Sequence, residues 1–309
     1  MRIAFVFPGQ GSQSVNMLAD YSRYGNSINN RLAEANEILG FDLSKIVSEG
    51  PKDLLNQTEI TQPAILAVSV GLYDLWQSFV SIQPVLMAGH SLGEFSALTC
   101  ADALKFTDAV SLVYDRGRLM QGAVPRGEGK MMAVLGLDDV IVENICAEVS
   151  GVVTPANFNS PGQVVVAGEE QAVELVGERC KEKGARRVLP LDVSVPSHCP
   201  LMEGITEQFR ERLNRIEIRT PTVPIVQNAT AKPTTDPDVI RQNLVAQLSC
   251  PVRWHHCVMT MINIEISRVL ECGPGKVLTG LMRRINSATH AISLSDPKEF
   301  EKLTQSSYE

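Results

Sequence analysis

Apolar and polar positions fall into blocks along this chain, and the blocks change character near Met131 and again after residue 195. Ile3-Ala4-Phe5-Val6-Phe7 is an unbroken apolar run, the pattern of a strand buried on both faces, and Pro8-Gly9-Gln10-Gly11-Ser12-Gln13 then enforces a loop. Residues 28–39 have helical periodicity. So does the stretch from Thr61 to Phe79, with Pro63 expected near the helix start, where a missing amide costs little. Pro84 to Gly89 reads as a short apolar strand. From Met131 the expected order is strand (131–135), helix (142–149), strand (152–156), strand (163–167), helix (171–183) and strand (187–191). Val223 to Val226 and Ser267 to Leu270 are two further strands separated by helical segments. The last ten or so residues, rich in Ser, Lys and Glu, are expected to fray.

The strand-helix-strand-strand-helix-strand order is that of a split, ferredoxin-like unit. The predicted fold class is therefore α/β: a larger α/β-hydrolase-like domain with a mostly parallel sheet, carrying an inserted ferredoxin-like subdomain. Residues 1–125 and 196–309 form the large domain, and 126–195 the subdomain. Insertions of this kind favour places where the host chain's ends lie close together.

Composition narrows the function classes. Hydrophobic residues at 44% and charged residues at 20% describe a soluble globular chain, and no apolar stretch approaches the roughly 18 residues a membrane-spanning helix needs. No signal peptide is read, so the expected location is the cytoplasm, with no membrane partner. Seven cysteines, odd in number and irregular in spacing, are expected as reduced packing residues. A net charge of -7 argues against nucleic acid, which requires a dominant basic face. An acidic partner would meet a local patch, either Lys181, Lys183, Arg186 and Arg187, or Lys276, Arg283 and Arg284; each cluster could equally be a solvated face of mixed charge.

A strand, then Gly89-His90-Ser91-Leu92-Gly93, then a helix-forming run to Ala101, is a nucleophile elbow in its required context. The helix opening presents amides and a positive dipole to a developing oxyanion. A serine needs a base, and five histidines are available. His90 should point away from Ser91 on such a turn. His255 and His256 are neighbours on a helix and cannot share one face, so a metal pair is not expected. His290 lies close to the polar tail. His198, in a proline-bracketed loop where the two domains would meet, is the expected base. Asp192 could orient it or could equally be a surface residue, and a dyad oriented by a carbonyl oxygen is preferred. Gly9-Gln10-Gly11 is no dinucleotide fingerprint; its glycines bring backbone close to something, an oxyanion amide being one option.

Arg116 falls in the middle of the apolar face made by Ala109, Leu112, Val113, Leu119 and Met120, with Arg118 on the opposite side. A guanidinium cannot shed its charge, so a buried one requires an anion: either a protein carboxylate or the carboxylate of a substrate. In the second case a fork of donors would select a carboxyl-bearing acyl group.

Phe7 to Gln13, Thr61-Gln62-Pro63-Ala64, Gly89 to Glu94, Arg116-Gly117, Asn157 to Gln163, Val195 to His198 and Gly273-Pro274-Gly275 together resemble the malonyl-CoA:acyl carrier protein transacylases of fatty acid synthesis, and the acyltransferase domains of polyketide synthases. The resemblance runs nearly end to end. It implies Ser91 as nucleophile, His198 as base, Arg116 as ligand of the malonyl carboxylate, an oxyanion hole from the amides of Gln10 and Leu92, and a backbone carbonyl at Gln247 orienting His198. It also implies ping-pong transfer between malonyl-CoA and acyl carrier protein in fatty acid biosynthesis without metal or redox cofactor, coenzyme A thioester being a substrate; a monomer is expected, but the oligomeric state is not read from the sequence. Phe95 stands where members often carry Tyr after the elbow glutamate. Two rival readings share parts of this pattern. A serine esterase or thioesterase would need no arginine in the pocket, and a binding module that only docks a carrier protein would need no dyad. Malonyl against methylmalonyl preference depends on pocket volume and is not read from the sequence.

Overall fold

A computed structural model of the chain describes residues 2–125, 127–191 and 195–305. Its strands are β1 (Ile3–Phe7), β2 (Leu86–Gly89), β3 (Gly129–Leu135), β4 (Val153–Ser160), β5 (Gln163–Glu169), β6 (Arg187–Pro190), β7 (Ile225–Val226), β8 (Pro233–Thr234), β9 (Arg268–Glu271) and β10 (His290–Ser293). They form two sheets, with strand orders β10-β9-β1-β2-β7-β8 and β4-β5-β3-β6. The first is an α/β sheet, parallel throughout except where β8 runs against β7.

β1 lies in the middle of the first sheet, which explains its unbroken apolar run. Ile3, Phe5 and Phe7 point into one core with Leu66, Leu72 and Trp76 of the helix Thr58–Phe79, while Ala4 and Val6 point into the other with Trp254, Val258 and Met282. Side chains alternate across a strand, so a strand covered on both faces must be apolar at every position.

Register places the loops. Phe7 lies opposite Gly89, so β1 and β2 end level and the 8–13 loop leaves beside the elbow. Ala88 lies opposite Val226, so the chain after β7 passes the same point. Ligand sites of open parallel sheets lie outside these carboxyl ends.

The second sheet is antiparallel at every pairing. The helices Asp139–Glu148 and Glu170–Glu182 pack on it through Val142, Ile145, Val173 and Val176 against Val134, Phe158 and Val164. It meets the first sheet's layers where Val252 donates to Ala156 and accepts from Phe158.

Two expectations are corrected, one on the helix holding Pro63 and one on the tail. The helix beginning near Pro63 starts at Thr58, so Pro63 is interior and removes one helical hydrogen bond. His290, close to the tail in sequence, opens β10, an edge strand parallel to β9. The tail expected to fray is helical from Pro297 to Gln305, because Phe300 and Leu303 are buried and the Phe300 ring packs edge-on against Tyr21, Trp76 and Phe79; residues 306–309 lie outside the described residues. The two-residue strand β8 went unread, being too short for any period to show. Asp192 lies outside the described residues.

Candidate active site

The elbow is built by close backbone approach. A Cβ on Gly93 would stand 2.0 Å from the carbonyl oxygen of Phe7, one on Gly89 would stand 1.8 Å from the Gly93 carbonyl carbon, and one on Gly9 would stand 2.4 Å from the His90 oxygen. Strand, loop and helix therefore touch only because these positions are glycine. Ser91 sits at the tip with φ 52°, a left-handed conformation that costs a β-substituted residue of order 1 to 3 kcal/mol. Asn228 holds it there: the Ser91 amide donates to Asn228 Oδ1 at 2.6 Å, and Asn228 Nδ2 donates to the Gly89 carbonyl at 2.6 Å.

Ser91 Oγ lies 2.7 Å from His198 Nε2, and His198 Nδ1 lies 2.6 Å from the carbonyl oxygen of Gln247. A carbonyl oxygen can only accept. Nδ1 must therefore carry the proton, leaving the lone pair of Nε2 directed at the serine hydroxyl. His198 is buried, and its pKa is lowered to about 3, first by burial and then by the nearby Arg116 charge. The neutral imidazole required of a base is the form this site favours.

Arg116, projecting from the helix Phe106–Ala123, is 1% exposed. Nη1 donates to Gln62 Oε1 and Nη2 to Gln247 Oε1, each at 2.9 Å, and Nη2 is also 3.4 Å from Ser91 Oγ. The guanidinium lies 5.4 Å from the centre of the Phe95 ring. Nε has no partner, and no carboxylate is hydrogen-bonded to the group among the described residues. Of the two anions open to a buried Arg116, the protein carboxylate is therefore not in contact with it. Burial lowers its pKa to about 10, and Glu94 opposes that shift.

Sequence reasoning missed Glu94 and Asn228 as site residues and assigned Gln247 only a carbonyl. Glu94, buried on the helix Gly93–Cys100, accepts from the Asn228 amide and from Gln247 Nε2, both at 2.9 Å. Gln247 Nε2 also donates to the Ser91 carbonyl at 3.1 Å. Burial pushes the Glu94 carboxyl up to about 7. A lone acid in the otherwise uncharged run from Leu92 to Ala101 was the one available signal.

His90 turns away as expected, its Nε2 lying 2.8 Å from Asn159 Oδ1 and its ring against Trp254. The amides of Gln10 and Leu92 donate to no acceptor among the described residues. The side chain of Gln10 bonds Thr58 Oγ1 at 3.2 Å. The seven cysteines are free; burial pushes the thiol of Cys199, next to His198, up to about 11, which disfavours its reactive thiolate. The two basic patches are not separate, since Arg186 and Arg187 from one and Arg284 from the other line a single cavity of about 420 Å³ with Ser160 and Gly162.

The family model of the acyl transferase domain matches residues 4–292. The chain belongs to this acyl transferase family. Among relatives of this acyl transferase, the malonyl CoA-acyl carrier protein transacylase of Escherichia coli (strain K12) is 49% identical over 298 residues, 96% of each chain. The crystal structure of an acyl carrier protein S-malonyltransferase from Vibrio cholerae superposes with a TM-score of 0.96 at 47% identity, covering 98% of this chain and 100% of that one. A malonyl-transacylase solved with a type II PKS acyl-carrier protein superposes equally well, with a TM-score of 0.96 at 46% identity and 98% of each chain covered. No helix of the described residues is long and apolar enough to cross a membrane.

Proposed function

We propose that this acyl transferase is a malonyl-CoA:acyl carrier protein S-malonyltransferase serving fatty acid biosynthesis, with Ser91 as nucleophile. The observation that carries the reading is Arg116: a buried guanidinium 3.4 Å from the nucleophile, held only by neutral acceptors. A buried cation without a contacting anion is a receptor for one, and at that distance the anion belongs to the acyl chain on the serine.

In the first half-reaction the Ser91 hydroxyl attacks the malonyl thioester carbonyl as its proton passes to His198 Nε2. The amides of Gln10 and Leu92, unengaged in the resting site, receive the oxyanion. Collapse breaks the carbon–sulfur bond, His198 returns the proton to the departing coenzyme A thiolate, and Ser91 retains malonyl as an ester. The pantetheine thiol of acyl carrier protein then enters, gives its proton to His198 and attacks the ester carbonyl; collapse breaks the bond to Ser91 Oγ, which takes the proton back from His198 Nε2 as the acyl group leaves on sulfur. The steps balance without a redox or metal cofactor, coenzyme A thioester being consumed as substrate. The Gln247 carbonyl holds the imidazole proton at Nδ1 throughout.

Residues 126–195 are read as a ferredoxin-like subdomain inserted in an α/β-hydrolase-like domain made of 1–125 and 196–309, in keeping with the separate antiparallel sheet and its own apolar cluster. The cavity of Arg186, Arg187 and Arg284 offers the acidic carrier or the coenzyme phosphates a positive surface. A single chain holds every residue the mechanism uses, and the free thiols suit a cytoplasmic location.

Intact-protein mass spectrometry after brief mixing with malonyl-CoA, without acceptor, tests the reading. Wild type should gain one malonyl group and Ser91→Ala none. Free malonate with no mass gain would make the chain a hydrolase; neither gain nor turnover would leave only a carrier-binding role.

A further inference from the structure

The site contains a buried acid that the transfer steps do not use. Glu94 touches neither Ser91 Oγ nor His198, yet its Oε2 accepts from the two residues that hold them: Asn228, whose side chain fixes the Ser91 amide, and Gln247, whose backbone carbonyl fixes the imidazole. Gln247 is oriented end to end, its amide nitrogen toward Glu94 and its amide oxygen toward Arg116, so one dipole spans a carboxylate and a guanidinium. The other carboxylate oxygen, Oε1, is buried without a partner. A fully buried carboxyl is costly, and an apolar residue could fill the volume; the arrangement makes sense if the negative charge itself is used.

We propose that Glu94 is a positioning residue for acyl transfer: its ionised carboxylate orients Gln247 and Asn228, and through them His198 and Ser91, while its charge offsets Arg116 beside the base. Without that charge, Arg116 disfavours the imidazolium that forms as Ser91 attacks, so the rate falls for any acyl donor. Binding of a malonyl carboxylate is not weakened, because Arg116 then has one fewer competing anion. Arg116 from the helix Phe106–Ala123 and Cys257 from the helix Trp254–Asn263 act electrostatically on Glu94, and His198 is coupled to Arg116 and His90. Cys257 is buried with its thiol pushed far up, and both His90 and His198 are held neutral, so Glu94 is the member of this group that titrates near neutrality.

The inference rests on the transfer reading, and one set of measurements separates the two. Wild type and Glu94→Gln are compared in Ser91 acylation by malonyl-CoA and by acetyl-CoA across pH 5 to 9, with thermal melting as the fold control. Glutamine can keep both hydrogen bonds through its one oxygen while removing the charge. Expected are a fall in kcat of about tenfold or more with both donors, a malonyl-CoA KM that is unchanged or lower, and an acid limb near neutrality in wild type that the variant lacks. Wild-type kcat in Glu94→Gln, or a reduced kcat with the acid limb intact, overturns the proposal. Should Glu94→Gln not fold, Glu94→Asp carries the test: it keeps the charge and the limb but retracts the carboxylate, and an unchanged kcat overturns the proposal equally. Wild type that forms no ester at all sinks the transfer reading instead.

Discussion

His198 Nε2 stands 2.7 Å from Ser91 Oγ in a pocket that holds the imidazole neutral, its pKa lowered to about 3 by burial and by Arg116. The unfolded chain protonates the same group near 6.5, its ordinary value. Below that pH the unfolded state binds a proton that the folded state refuses, so folding stability is full above pH 6.5 and falls as pH drops.

Replacing His198 by Asn should remove part of that pH dependence. Between pH 7 and pH 5 the loss of stability should shrink by roughly 1 to 2 kcal/mol relative to wild type, measured by urea denaturation at both pH values. Equal losses in the two proteins would contradict a neutral, buried His198. Ester formation on Ser91 should fall by about a thousandfold or more in the same variant.

Arg116→Ala should weaken use of malonyl thioesters by roughly 2 to 4 kcal/mol in kcat/KM while sparing acetyl thioesters. Competition between malonyl-CoA and acetyl-CoA for Ser91, read by mass, checks this in one tube. Equal loss with both donors would remove the arginine from specificity.

Glu94 carries the opposite sign from His198. Burial pushes its carboxyl from 4.5 up to about 7, so the folded state keeps a proton that the unfolded state has already lost between those values. Stability therefore falls as pH rises through that window, and at pH 8 Glu94→Gln should melt no lower than wild type, with a gain on the order of 1 kcal/mol. A variant that is slower yet at least as stable is the signature of a charge kept for function.

Two glycine substitutions bracket the packing argument. Gly93→Ala places a methyl 2.0 Å from the Phe7 carbonyl and should destabilise by about 3 kcal/mol or more, because backbone must move. Gly122→Ala meets nothing within 4 Å on an exposed helical position and should stabilise by about 0.5 kcal/mol. Thermal melting of both distinguishes steric need from mere preference.

What the sequence determined by itself is local in origin. The Ser91 elbow, the two-face burial of Ile3 to Phe7 and the apolar stripe around Arg116 each arise from φ limits, alternation or helical period acting over a few neighbours. The pairing of His198 with Ser91 was legible because a serine nucleophile would need a base and one loop histidine remained. Gln247's carbonyl and the amides of Gln10 and Leu92 came through family resemblance, since backbone groups carry no residue-type signal. The helix Pro297–Gln305 was missed because its polar composition hid Phe300 and Leu303, which are buried only by elements hundreds of residues away. Only the tertiary structure decided that Glu94, Asn228 and Gln247 converge. Their mutual hydrogen bonds join residues 19 to 153 positions apart. Those contacts exist because β1, β2 and β7 end at one level, and strand order and register are properties of the closed sheet, set by packing that no local window of sequence contains.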